Sequence, residues 1–114
     1  MEKKKNKVSA IRILRKIRER TIKNFMDMLI LAELRKGYTM SGPDLIVLIH
    51  KKFHILISVG TAYSILYALE RNGLIEGMCN GRKRVYKLTD KGEETINIIL
   101  DAKEEIQGFM TTLF

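Results

Sequence analysis

Two Asn-Gly pairs constrain this chain more than any other feature. Asn72-Gly73 and Asn80-Gly81 divide the run SVGTAYSILYALERNGLIEGMCNGRKRVYKLTDKGEE, which starts at Ser58, into one amphipathic helix and two short segments of strand character. Asn-Gly is the strongest two-residue hairpin signal, because both central positions of a type I′ turn need positive φ. A turn centred on Asn80-Gly81 places Cys79 opposite Arg82, Met78 opposite Lys83, Gly77 opposite Arg84, Glu76 opposite Val85 and Ile75 opposite Tyr86. The period of two then points Ile75, Tyr86 and Leu88 toward a core.

The helix that precedes the hairpin has two unlike faces. At ~100° per residue, Val59, Ala62, Leu66 and Leu69 fall together with Ile65 beside them, whereas Thr61, Ser64, Ala68 and Arg71 gather opposite. Ser58 is the expected N-cap, and the free amides behind it favour an anion such as phosphate. Tyr63 lies on the boundary, where its ring can bury while its hydroxyl reaches outward. A helix with a small, polar outer face can bring its backbone near base edges, and its hydroxyls can bond bases or phosphates. An ordinary surface helix could look the same. The hairpin behind it adds Arg82, Lys83 and Arg84 at one tip, three cations that repel one another unless a polyanion lies alongside.

These residues carry a family resemblance. SVGTAYSILYALERNGLI resembles the S-x-G-T-L-Y-x-L-L-x-x-L-E-x-x-G-L-I signature of PadR-type transcriptional regulators, and RVYKLTDKGEE resembles their wing strand and the entry to their last helix. LILAELRKGYTMSGPDLI is similar to their first helix and its turn into the second. Pro43 stands where the family usually has tyrosine, one extra residue lies between Gly37 and Met40, and Ser64 replaces a common proline. The resemblance implies a dimeric winged-helix repressor or activator, with Ser58, Thr61, Tyr63 and Ser64 at the DNA groove and Arg82, Lys83 and Arg84 on the flanking phosphates.

The expected fold is mainly α with a small β-hairpin: a winged helix-turn-helix with a basic N-terminal helix and a C-terminal dimerisation helix. Residues 1–23 form the arm, 24–92 the DNA-binding domain and 93–114 the dimerisation helix. The first 23 residues hold ten Lys or Arg against Glu2 and Glu19, a surplus that equals the net charge of +8 of the whole chain. The remainder is neutral, with basic residues on the wing and Glu93, Glu94, Asp101, Glu104 and Glu105 on the last helix, so a polyanion is drawn to one end of the molecule.

The arm reads as helical from about Val8, because Ala10, Leu14, Ile17, Thr21 and Phe25 recur at the three-four spacing of one face. Lys3 to Lys7 reads as a disordered basic tail. The helix could pack on a partner subunit, extend the phosphate-binding surface through Arg12, Arg15 and Lys16, or lie on an anionic membrane; the first two are compatible. An organelle presequence is discounted because the arm leads into a bacterial or archaeal family pattern.

Asn24 to Lys36 is expected to be the next helix, burying Phe25, Met28, Leu29 and Ala32 and ending at Gly37. A second starts at Ser41-Gly42-Pro43-Asp44, with proline tolerated in its first turn, carries Leu45, Leu48 and Ile49, and fades near Phe53. Ile55, Leu56 and Ile57 are expected to add a small strand to the wing sheet. Thr89 caps the last helix, whose stripe of Ile99, Ala102, Ile106, Phe109 and Leu113 has no second layer to cover it in so short a chain and reads as a dimer seam, together with Leu14 and Ile17. Folding back on its own domain is the alternative. A twofold dimer implies a palindromic operator.

No apolar stretch approaches the ~20 residues of a membrane span, and no export signal follows the basic start, which points to the cytoplasm. The lone Cys79 has no internal disulfide partner; as an exposed thiol it could be oxidised or link two chains, but a small residue pairing across the hairpin is the simpler reading. His50 and His54 lack an intervening glutamate and any nearby cysteine, so neither a metal site nor another cofactor is expected. No nucleophile with a base and orienter is recognisable, which argues against an enzyme. A small-molecule effector has no tryptophan to stack on; Phe109 and Met110 could line an interface cavity, though packing alone explains them. The alternatives to a sequence-specific regulator are a winged-helix protein-protein interaction module and a non-specific DNA-compacting protein.

Overall fold

The computed structural model describes residues 2–114, with side chains from Ser9 onward. Its elements, in chain order, are α1 (Glu2–Asn24), α2 (Met26–Leu34), β1 (Met40–Ser41), α3 (Gly42–Phe53), α4 (Val59–Arg71), β2 (Ile75–Asn80), β3 (Lys83–Leu88), α5 (Asp90–Asp101) and α6 (Lys103–Thr111). The three strands form one antiparallel sheet in the order β1-β3-β2. The expected architecture, mainly helical with a small sheet and a winged helix-turn-helix at its centre, is present.

Local chemistry explains where the helices of this unit begin. Ser41 caps α3 with a full capping box: its hydroxyl accepts the Asp44 N–H while the Asp44 carboxylate accepts the Ser41 N–H. Pro43 occupies the first turn, where its missing N–H costs nothing. Ser58 caps α4 and Thr89 caps α5 through the Gly92 N–H. Gly92 itself lies against the Leu74 carbonyl, where any side chain would collide.

α2 is the central element and packs against α1, α4, α5 and β3. That position overturns the expected burial. Met26, Ile30, Leu31 and Leu34 are buried, Met28, Leu29 and Ala32 only partly, and Phe25 is exposed. A helix enclosed on several sides has no single apolar stripe, so a periodicity argument selects among rows arbitrarily. Phe25, at φ −106° and ψ 15°, instead marks the break between α1 and α2. The α1 backbone starts at Glu2 and covers the Lys3–Lys7 run that the sequence suggested as a disordered tail, so the helix begins before the expected Val8; the side chains of that run lie outside the described residues.

Three further expectations are corrected. The third strand is Met40–Ser41, paired with Tyr86 and Val85 of β3, whereas Ile55–Ile57 forms no strand and serves as the turn into α4, with Ile57 buried and Leu56 exposed. The hairpin turns one residue later than predicted. Ile75 faces Leu88, Gly77 faces Tyr86, Met78 faces Val85, Cys79 faces Arg84 and Asn80 faces Lys83, so Gly81 and Arg82 are the central pair. Gly81 has φ 68°, while neither Asn80 nor Arg82 has positive φ; this is the requirement of a type II′ turn, which needs glycine only at its first central position. The shift moves pairing by two, so the faces survive: Ile75 and Tyr86 are buried and Leu88 is partly buried. Finally, the last helix is broken at Ala102 (φ −91°, ψ 10°) into α5 and α6.

The molecule measures 58 × 34 × 21 Å with a radius of gyration of 16.8 Å, against ~13 Å for a compact domain of this length. α1 and α6 account for the excess. Leu14, Ile17, Ile106, Phe109 and Leu113 are exposed, and Ile99 and Ala102 are partly buried.

Candidate nucleic-acid interface

The site is built on α4 and on what holds it. Ala62, Leu66 and Leu69 anchor the helix in the core, and Ile65 is partly buried. Val59 departs from the predicted face and is 60% exposed. It is the first residue of the helix, and helical side chains tilt toward the N-terminus, so Val59 overhangs the helix end instead of lying on the core.

The hydroxyls at this end engage one another. Ser58 Oγ accepts the Thr61 N–H at 3.0 Å and donates to Thr61 Oγ1 at 2.9 Å. The Thr61 hydroxyl hydrogen is left free to donate outward. Ser64 is exposed one turn on and, with Ala68 and Asn72, lines an open groove whose other wall is Lys23, Asn24 and Asp27 at the α1–α2 junction. Lys23 is a cation beside α4 that was not singled out from the sequence; only the bend at Phe25, invisible to periodicity, brings it there. The Tyr63 ring lies over the backbone of Gly42, where a β-carbon would meet its Cζ at 2.6 Å, and 5.8 Å from the Tyr67 ring. Tyr63 thus joins α4 to the start of α3, and it is half-buried, as its boundary position implied.

The three wing cations have different surroundings. Arg82 occupies the turn, is exposed and makes no ion pair among the described residues. Lys83 Nζ lies 4.0 Å from Asp44 Oδ1, a loose link between the wing and the α3 cap. Arg84 turns inward: its Nη2 donates to Glu70 Oε2 at 2.8 Å, and its guanidinium sits 5.6 Å over the Tyr86 ring. Its pKa is raised by its proximity to Tyr86 and by the Glu70 charge. Tyr86 is fully buried, and burial pushes its phenol upward despite the opposing Arg84 charge. The Asp44 carboxyl is held below its ordinary range, chiefly by the Ser41 N–H and further by the Ser41 hydroxyl and Lys83, against the opposing effect of burial.

Arg12, Arg15 and Lys16 are exposed on α1, away from the wing in sequence and in element contacts. His50 and His54 are exposed, and His54 closes α3 in the left-handed conformation at φ 57°. Among the described residues no cluster of three metal-ligating side chains occurs, and no helix is long and apolar enough to cross a membrane.

Solved structures share this arrangement. A PadR family transcriptional regulator from Eggerthella lenta superposes with a TM-score of 0.75 at 21% identity, covering 93% of this chain and 96% of that one. A PadR family transcription regulator from Clostridium difficile gives 0.67 at 24% identity over 78% and 97%. A PadR-like transcriptional regulator from Bacillus cereus gives 0.69 at 23% over 82% and 95%. At such identities the likeness establishes the fold. A search of curated proteins finds no match. The profile described as "Transcriptional regulator PadR-like family" matches residues 30–98, which run from within α2 through most of α5 and include α4 and the β2–β3 hairpin. This chain belongs to the PadR-like family of transcriptional regulators.

Proposed function

We propose that the chain acts as a homodimeric, sequence-specific DNA-binding regulator, with α4 in the major groove and the wing on the phosphate backbone. One observation carries the reading: α4 is packed through Ala62, Leu66 and Leu69 yet leaves Ser64 and Arg71 uncovered, and the hairpin that follows it turns at the exposed Arg82, which has no ion pair among the described residues. Helix polarity supports it, since the N-terminal turn of such a helix is the part that meets base edges.

A twofold pair would set two α4 helices about one DNA turn, ~34 Å, apart on a palindromic operator. The exposed apolar rows of α1 and α6 supply the surface for pairing, and the basic arm complements the acidic α5 and α6 of a second copy.

The deciding experiment is selection of bound fragments from random duplex DNA, followed by salt titration on the winner. Neutralising six or more phosphates lowers affinity by ~10³ or more between 50 and 200 mM salt. A steep salt slope without any selected sequence would mean DNA compaction. The absence of duplex binding would point to a protein partner.

A further inference from the structure

The first turn of α4 contains two features that the fold does not use. Val59 is 60% exposed, and Leu56, three residues earlier in the turn that leads into the helix, is 75% exposed. Neither belongs to the hydrophobic core or to the partly buried residues packed against it. Gly60 is the second feature. Its φ lies outside the left-handed region, and a β-carbon added there would meet only Ser58 Oγ at 3.9 Å, an ordinary van der Waals distance. Neither backbone conformation nor packing calls for glycine at this position, where its conformational entropy disfavours the helix relative to alanine. The remaining use of a bare backbone is close approach by something outside the chain.

The capping hydroxyl of this turn is already committed. Ser58 spends its hydroxyl on the Thr61 N–H and on Thr61 Oγ1. Apart from the free Thr61 hydroxyl hydrogen, the side chain that projects from the helix end is the apolar Val59, and it projects where the proposed reading places base edges. The major groove offers one apolar group, the C5 methyl of thymine.

We propose that Val59 is a specificity-determining residue that reads a thymine 5-methyl group in each half-site, with Gly60 providing the clearance that lets the helix end reach it. This rests on the assignment of α4 to the major groove. Leu56 flanks the same contact and shields it from water. The branched Val59 side chain presents two methyl groups to the thymine methyl, and a β-carbon at Gly60 would hold the backbone away from the duplex.

The test uses the duplex selected by the full chain. Each thymine is replaced in turn by deoxyuridine, which keeps every hydrogen-bonding group and removes only the methyl. One thymine per half-site should lose affinity about four-fold on replacement, the equivalent of ~0.8 kcal/mol for one buried methyl-sized group. With Val59→Ala that thymine and deoxyuridine should bind nearly alike. Gly60→Ala should leave the melting temperature unchanged or raised while weakening binding to the same duplex.

Equal binding of every deoxyuridine duplex by the wild-type chain would overturn the proposal while leaving DNA binding intact. So would a methyl effect undiminished in Val59→Ala, or undiminished affinity in Gly60→Ala. If no duplex is selected at all, the groove assignment fails, and the Val59 proposal fails with it.

Discussion

Glu70 on α4 and Arg84 on β3 form the strut between that helix and the wing. One carboxylate oxygen, Oε2, accepts the Arg84 Nη2 at 2.8 Å and the Gly77 N–H of β2 at 3.0 Å. A single acceptor on the helix therefore holds both strands of the hairpin. Arg84 is stacked over Tyr86 at the same time, so its charge is shared between an internal task and any contact with DNA.

Glu70→Ala removes the acceptor from both donors and should cost about 1 kcal/mol in chemical denaturation, the usual worth of a partly exposed hydrogen bond. The Gly77 amide should then exchange faster with solvent. Because wing and helix lose their common reference, affinity should fall on all duplexes, not at one base.

Arg82→Ala combined with Lys83→Ala should leave stability nearly unchanged, since Arg82 has no ion pair among the described residues and Lys83 reaches Asp44 only at 4.0 Å between exposed side chains. Each lost phosphate contact removes about one unit from the slope of log affinity against log salt. A fluorescence-anisotropy salt series should thus show a slope shallower by about two.

Ser64→Ala and Thr61→Ala should relax preference at particular base pairs by ~1 to 3 kcal/mol, measured as the affinity ratio between the selected duplex and single-base variants. A uniform loss across all variants would remove these hydroxyls from base reading. Thr61 also carries the Ser58 hydroxyl, so its variant requires a helicity check by circular dichroism.

Ile17→Asp and Phe109→Asp each place a charge within an exposed apolar row, on α1 and α6 respectively. If these rows form the subunit interface, sedimentation should show a monomer at micromolar concentration, and operator affinity should drop sharply. Retention of a dimer in both variants would exclude these helices as its seam.

Acid should loosen the α3 cap. The folded pKa of Asp44 is depressed, first by the Ser41 N–H, so its stabilisation is present above the unfolded carboxylate value of ~3.9 and is lost as pH falls through the lower folded value. Glu33 behaves alike: burial opposes ionisation, but bonds from Tyr38 and Lys36 outweigh it and lower its pKa. Denaturation midpoints should fall below pH ~4, and Asp44→Asn should flatten part of that decline.

Local order was legible in the chain itself. Ser41, Ser58 and Thr89 announce helix starts because a capping hydroxyl acts on amides two or three residues away. Ala62, Leu66 and Leu69 declare their buried face because a helix repeats within its own length, and the charge imbalance of the arm is simple counting. What lay beyond reach depended on distant partners. Glu70 and Arg84 are fourteen residues apart and meet only once the hairpin folds over α4. Met40–Ser41 becomes a strand because β3 has a free edge beside it, not because two residues can specify one. The buried side of α2 follows from neighbours that enclose it, and the position of Val59 follows from the helix ending before the core does. Short-range chemistry sets the elements of this protein, while packing decides which of their side chains are left facing outward.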